Sequence, residues 1–411
     1  MSSGAKGIKW NSIGAFGYLG FHALSIALIA RFEGAESVGI FLLAQAVGMP
    51  LSLLSGLRYH DINATEHQIT HFRSQLKNVS LIAIPLTTIA VVLWVFFTNG
   101  NIRMIGPPVI VANVLLAYAQ ISQGRLIRLR KFRLAGLFEI ARGITSILSF
   151  FTGIVLLNSF FLGAVLLVFS WTIILLVELR KAHRLSLPIL NENTATINLL
   201  ERIRYSLSDS MAIFQTSSVR LVVGAIIGDA AVGIFGATAL LIKFIHPAAI
   251  AITKTMLPQL ADALAKNELQ IVRQLFSKIN RTTIGLIIVF TGLGYWLTPP
   301  FVELLLGETL RPPPLVAAII MFGAAPLIGS RFQTQILIAL RDRLAVERVA
   351  WAAWISSAAL APVLVWLYGL TGAAVAVATG YLVRYALSTF YVHNAIRNNY
   401  TIAQVPERMP Q

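Results

Sequence analysis

Twelve stretches of about 20 mostly apolar residues, separated by short polar loops, leave this chain few structural options. They run roughly over 10–30, 37–57, 78–98, 104–123, 135–157, 160–177, 206–227, 231–251, 282–298, 314–339, 348–367 and 371–391. A segment of that kind satisfies its backbone in hydrocarbon only as a helix, since no water is there to accept the freed N–H and C=O groups. Of the 411 residues 56% are hydrophobic and 12% charged, about half the charge density of soluble domains. Aromatics near several segment ends (Trp10, Trp94, Tyr295, Trp296, Trp366, Tyr368 and Tyr391) suit a headgroup-level belt. The expected fold class is therefore an all-α integral membrane protein with twelve spans. The apolar run that follows the mildly basic segment Met1 to Lys9 is too long for a signal-peptide core and is expected to remain as the first span.

Two parts of the chain repeat one another. Gly34-x₃-Val38-Gly39-Ile40-Phe41 recurs as Gly228-x₃-Val232-Gly233-Ile234-Phe235, at a constant offset of 194 residues. In each copy an apolar helix ends in a Gly-containing turn that opens the next. A repeat of half-chain length built from membrane spans predicts two lobes of six helices related by an internal repeat, as in many transporters. The longest polar stretch sets the boundaries: an N-terminal lobe at 1–177, a linker at 178–205, a C-terminal lobe at 206–397 and a tail at 398–411.

The net charge of +16 is a matter of topology, with no call for nucleic acid. With the N-terminus in the cytoplasm, 25 of the 33 Lys and Arg residues fall in loops or termini on that side. Arg31, Arg103 and Arg311 alone fall on the other, and five lie inside spans. Such a bias places linker, tail and both termini in the cytoplasm. A second polar stretch, about 252–281, has Leu264, Ile271, Leu275 and Ile279 at near-helical spacing with Lys266, Arg273 and Lys278 between. It predicts an amphipathic helix on the inner membrane surface.

This organisation resembles the polysaccharide transporters of the multidrug/oligosaccharidyl-lipid/polysaccharide (MOP) superfamily, with the Wzx-type flippases for lipid-linked O-antigen or capsule units as nearest relatives. The resemblance rests mostly on Asp209 to Ala265: Ser218-Val219-Arg220-Leu221-Val222-Val223-Gly224, Gly228-Asp229, Val232-Gly233-Ile234-Phe235 and Leu257-Pro258-Gln259-Leu260-Ala261. Tyr368-Gly369-Leu370-Thr371-Gly372-Ala373-Ala374-Val375-Ala376 is similar to the small-residue entry of the last span of such proteins. It implies a MATE-like fold in a bacterial cytoplasmic (inner) membrane. The function implied is flipping of a polyprenyl-diphosphate-linked oligosaccharide by alternating access. Membrane lipids, and polysaccharide polymerase and export proteins, are the partners it implies. At 411 residues the chain is expected to lack room for the two extra spans of the lipid II flippase branch, which argues against lipid II as its cargo.

Within the spans the informative residues are basic: Arg142, Arg220, Lys243, Arg331 and Arg384. A charge at the bilayer centre costs about 3 kcal/mol on insertion scales, so each is expected to face a partner or an aqueous cavity. Arg142 has Glu139 three residues earlier, within reach on one helix face; the others have no acid at i±3 or i±4. Arg331 follows Pro326 in an interrupted helix, and Lys243 sits one turn from His246, where it could also snorkel to the inner surface. All five are candidate diphosphate or cavity residues, because guanidinium groups grip phosphate bidentately and keep their proton. Asp209 and Glu139 are the candidates for ion coupling. Asn11, Ser12, Gln45, Gln120, Gln123, Gln215, Thr216, Ser217, Gln333 and Gln335 could meet sugar hydroxyls.

Other signals are weaker. There is no cysteine, so no disulfide or thiolate site can form. His67 and His71 have helical metal-ligand spacing but lie in a loop where solvated polar residues are the expected reading, so neither metal nor cofactor is expected. No phosphate-binding Gly-x₄-Gly-Lys-Ser/Thr loop and no catalytic triad or carboxylate pair is recognisable, which argues against an enzyme. The alternative function is a cation- or proton-coupled drug antiporter of the multidrug branch. Such a protein needs buried acids, where these spans carry mainly bases.

Overall fold

A computed structural model describes residues 3–65, 69–186, 192–193, 199–242, 268–340 and 342–397. These residues are nearly all helical. In chain order they form α1 (Ser3–Ser55), α2 (Tyr59–Thr65), α3 (Phe72–Phe97), α4 (Gly100–Arg128), α5 (Phe132–Phe150), α6 (Phe160–Ser186), α7 (Leu199–Ile226), α8 (Asp229–Ile242), α9 (Leu269–Trp296), α10 (Thr298–Leu306), α11 (Pro314–Ala339) and α12 (Arg343–Arg397). A two-residue parallel pairing, Ile69–Thr70 with Glu192–Asn193, ties the linker to the loop after α2.

Among the described residues seven helices are long and apolar enough to cross a membrane, or eight if α9 and α10, bent by 52°, form one span. The bend falls where Pro299 and Pro300 open α10, since proline suits a first helical turn and cannot continue the preceding one. Large apolar side chains cover the outside: Phe96, Ile288, Trp296 and Leu304 are mostly exposed. Water would not tolerate so much apolar surface, and lipid solvates it.

The twelve apolar stretches map onto fewer, longer helices. Segments 10–30 and 37–57 share α1, and 348–367 and 371–391 share α12. Segment 231–251 is described as far as Ile242. A straight 55-residue helix would be about 80 Å long, far more than a bilayer. Both long helices instead break at a glycine in a left-handed or extended conformation that other residues avoid: Gly34 (φ 84°) and Gly369 (φ 57°). Both then double back. In α1 the His22 and Gln45 side chains meet at 3.4 Å, and the His22 and Phe41 rings lie 5.9 Å apart. In α12 a Cβ on Gly372 would overlap the Leu364 carbonyl, although eight residues of straight helix span about 12 Å. Each is a helical hairpin.

The two copies of the repeat pack on each other. A Cβ on Gly39 would overlap the Asp229 carbonyl, and one on Gly233 would meet the Ala35 carbonyl at 2.5 Å. An offset of 194 turns Ala35 into Asp229 and Gly39 into Gly233, so the two contacts are the same contact made reciprocally. A Cβ on Gly236 would likewise strike Leu42, its own counterpart in the other copy. Such self-complementary exchange is what a local two-fold axis produces. Around it one apolar core joins Ile29, Val38 and Phe41 to Val223, Phe235, Leu306 and Leu310. Gly39→Ala is expected to cost about 1–3 kcal/mol through overpacking. Gly285→Ala, where the new methyl meets nothing within 4 Å, should leave the melting temperature unchanged or raise it. Equal melting of the two variants would refute the close contact.

At the opposite end of these helices the halves meet through both polar and apolar contacts. Ser210 Oγ donates to the Pro50 carbonyl at 3.2 Å, and Leu199 and Ile203 of α7 pack against Leu57, Tyr59 and Phe72. Arg125, which falls between the apolar stretches 104–123 and 135–157, is fully buried. Its Nη1 donates to Ser186 Oγ (3.1 Å) and its Nε to Gln75 Oε1 (3.4 Å), with Phe72 stacked on the guanidinium at 4.9 Å. Asn63 and Gln75 exchange amide hydrogen bonds beside it. This network joins α2, α3, α4 and α6.

The surface helix expected from Leu264 to Ile279 is different in the structure. From Leu269 onward it belongs to α9, which runs unbroken to Trp296. Val272 and Ile279 are buried against Ile336, Leu337 and Val392, so this face is held by α11 and α12. Leu264 and Lys266 lie outside the described residues.

Candidate functional site

Three of the five intramembrane cations converge. Arg220 comes from α7, Arg331 from α11 and Arg384 from the second arm of α12. Arg220 is 6% exposed and Arg384 5%, and Tyr381, one turn before Arg384, lies within electrostatic range of all three guanidinium groups. Arg331 and Arg384 are also within range of each other and of Asp209. No carboxylate among the described residues forms an ion pair with any of the three. The Nε atoms of Arg220, Arg331 and Arg384, and Nη1 of Arg384, are buried without a hydrogen-bond acceptor. Like charges gathered in a largely enclosed site, with no directly paired carboxylate, raise the free energy of the fold. Chemically, guanidinium donors arranged in this way can bind an anion with several acceptor oxygens.

The other candidates behave differently. Arg142 does not join the cluster and does not take Glu139 as its ion-pair partner. Its Nη1 donates to Glu178 Oε2 at 2.5 Å, with Arg142 4% and Glu178 0% exposed. Trp171 Nε1 donates to the Arg142 carbonyl (3.2 Å) and lies 3.1 Å from Ser146 Oγ, locking α5 against α6 at this level. Glu178 went unseen because the sixth apolar stretch ends at 177, while α6 continues to Ser186. Glu139 lies against α1, where a Cβ on Gly14 would stand 2.6 Å from its Oε2. Asp209 is paired across the halves: Arg58 Nε lies 3.1 Å from its Oδ2 and Arg58 Nη2 2.9 Å from Asp61. Burial would raise the Asp61 pKa, but His60 and Arg58 hold it down at about 2, so the carboxylate stays ionised across the physiological range. Lys243 and His67 lie outside the described residues, and no group of three or more metal-ligating side chains occurs among those described.

The polar candidates also divide. Gln333 is consumed by Asn280 (2.9 Å), Thr389 (2.7 Å) and Ser388, and Gln120 reaches the Ser52 carbonyl at 3.5 Å. Gln215, fully buried on α7, has neither amide atom paired. Tyr381 was legible in principle, since Tyr381, Arg384 and Ser388 share one helix face by their spacing.

A second feature is an apolar cleft of about 620 Å³ lined by Phe16, Gly20 and Leu24 of α1, Leu241 of α8, and Phe301 and Leu305 of α10. It lies between the first arm of α1 and helices of the C-terminal half.

No protein-family profile matches the chain, and no curated protein does. Solved structures do. The lipid II flippase MurJ in an inward closed conformation aligns at a TM-score of 0.66 with 14% identity, over 95% of this chain and 89% of that one. A variant of the MATE transporter VcmN from Vibrio cholerae aligns at 0.61 and 15%, over 97% and 100%. A MOP superfamily transporter from Pyrococcus furiosus, described as having a binding pocket of reverse polarity, aligns at 0.56 and 14%, over 96% of each chain. The chain therefore has the fold shared by these MOP superfamily members.

Proposed function

We propose that this protein is a two-lobed, twelve-span flippase that moves a polyprenyl-diphosphate-linked oligosaccharide across the bacterial cytoplasmic membrane by alternating access, with both termini in the cytoplasm. The observation that carries the reading is the set of three converging arginines, Arg220, Arg331 and Arg384, each with a buried unpaired Nε and none ion-paired to a carboxylate among the described residues. A diphosphate brings the counter-charge and the acceptor oxygens these groups lack, and arginine binds it without giving up its proton. A cationic drug would be repelled by the same cluster. The apolar cleft beside α1 suits the polyprenyl tail, which can stay in lipid while the head group enters. The helical hairpins of α1 and α12, the reciprocal packing of the repeat copies and the shared fold support two lobes that rock about the Gly39–Asp229 and Gly233–Ala35 contacts.

The test compares polyprenyl-linked glycans extracted from cells with and without the protein. The expected result is an intact lipid-linked repeat unit that accumulates on the inner leaflet when the protein is absent. Unchanged glycolipids together with new sensitivity to cationic dyes would overturn the flippase in favour of the antiporter.

A further inference from the structure

At one corner of the N-terminal half three helix ends meet. The end of α4, the start of α5 and the end of α6 pack around Leu126, Ala135, Phe138 and Ala182. Six basic side chains stand exposed around this small core: Arg130 and Lys131 in the α4–α5 turn, Arg133 on α5, and Arg180, Lys181 and Arg184 on α6. None of them forms an ion pair with a carboxylate among the described residues. The acids within 124–140 and 173–186 are Glu139 and Glu178, and neither balances the corner: Glu139 lies against α1, and Glu178 is enclosed with Arg142. Arg130 also stands in a left-handed conformation (φ 55°), at the helix-ending position where glycine is usual. Its N–H donates to the Ile127 carbonyl at 2.9 Å, and the Lys131 N–H donates to the Leu126 carbonyl at 2.8 Å. Glycine would serve that turn better, so the backbone does not explain the arginine.

Depth in the membrane decides what these charges meet. Arg133 stacks on Trp10 at 5.4 Å, and an aromatic at the start of an apolar stretch marks the headgroup level. The basic stripes also continue lipid-facing apolar ones. On α5 Leu137, 43% exposed, lies four residues after Arg133; on α6 Leu176 (61%) and Val177 (44%) lie four residues before Arg180 and Lys181. Residues four apart share a helix face, so the charges begin about 6 Å beyond the apolar surface, at the depth of lipid phosphates. An acidic protein would have to reach sideways into the headgroup layer, whereas a phosphodiester is already there. We infer that this corner of α4, α5 and α6 is a binding surface for anionic phospholipids. Clusters of basic residues beside span ends attract such lipids, and each added charge strengthens the attraction several-fold. The proposed orientation of the termini makes the leaflet the inner one; the binding itself needs neither that orientation nor the flippase reading.

The test uses the full-length protein in neutral detergent micelles with two probes of identical acyl chains, phosphatidylglycerol and phosphatidylcholine. Mass spectrometry of the intact complexes counts the lipid retained. Wild type is expected to favour phosphatidylglycerol about tenfold or more, with a preference that falls as salt is raised. The combined variant Lys131→Gln, Arg180→Gln, Lys181→Gln and Arg184→Gln should abolish the preference. Arg130→Gly should lower it about three- to fivefold and melt at or above the wild-type temperature, because glycine relieves the left-handed residue. Lys278→Gln with Arg281→Gln, two exposed cations on α9, should leave it intact. Equal retention of the two lipids by wild type would overturn the surface and leave the corner to an acidic protein. A preference that survives the combined variant would overturn it too, as would one that the α9 pair lowers equally, since the attraction would then be diffuse. These readings are independent of transport, so the flippase reading stands or falls separately.

Discussion

Replacing Arg220, Arg331 or Arg384 by alanine, one at a time, is expected to reduce transport of lipid-linked cargo by about 10- to 100-fold, the worth of a hydrogen bond to a charged group. The same variants are expected to melt at or above the wild-type temperature. The two halves of the prediction have one cause. A buried guanidinium with unpaired donors (Nε of all three, Nη1 of Arg384) opposes folding, and the bound anion recovers what the fold gives up. Loss of activity with undiminished stability therefore separates a binding residue from a packing residue. Arg331→Lys should fall between wild type and alanine, since it keeps the charge and loses the bidentate fork. Transport in proteoliposomes and thermal melting of the same preparations check it. Wild-type transport in all three alanine variants would refute the cationic receptor.

The opposite pattern is expected at Arg142. Either Arg142→Ala or Glu178→Ala leaves one buried charge without its partner, which costs about 3–5 kcal/mol. Both residues are almost fully enclosed, so little solvent screening is available. The double substitution Arg142→Met with Glu178→Leu removes both charges and should regain most of that loss. Melting of the two single variants and the double one measures the coupling. Additive losses would mean that the pair is not coupled, and that Arg142 belongs with the functional cations after all.

These two results would distinguish residues that look alike in one dimension. Arg142, Arg220, Arg331 and Arg384 are each a lone base in an apolar stretch. Spacing along a helix reveals partners three or four residues away and no others, so it proposed Glu139 for Arg142. The ion-pair partner lies 36 residues on, across the α5–α6 contact. Asp209 likewise finds Arg58 of the other half, and Arg125 passes for a loop residue until α4 is seen to carry it into a fully buried network. Lys243 lies where the described residues stop.

The sequence by itself determined the class of the protein. Long apolar runs can satisfy their backbones in lipid only as helices, and this holds whatever the neighbours are. It also determined the internal repeat, because Gly34 and Gly228 are needed wherever the chain turns with φ above zero, and small residues wherever helices touch backbone to backbone. What the tertiary structure decided was the pairing. It matched Arg142 with Glu178, brought Arg220, Arg331 and Arg384 together with no ion-paired carboxylate among the described residues, and set Gln215 against Ser357 across Gly380. Pairing depends on which helix faces meet, and those are chosen by packing between segments that lie tens to hundreds of residues apart.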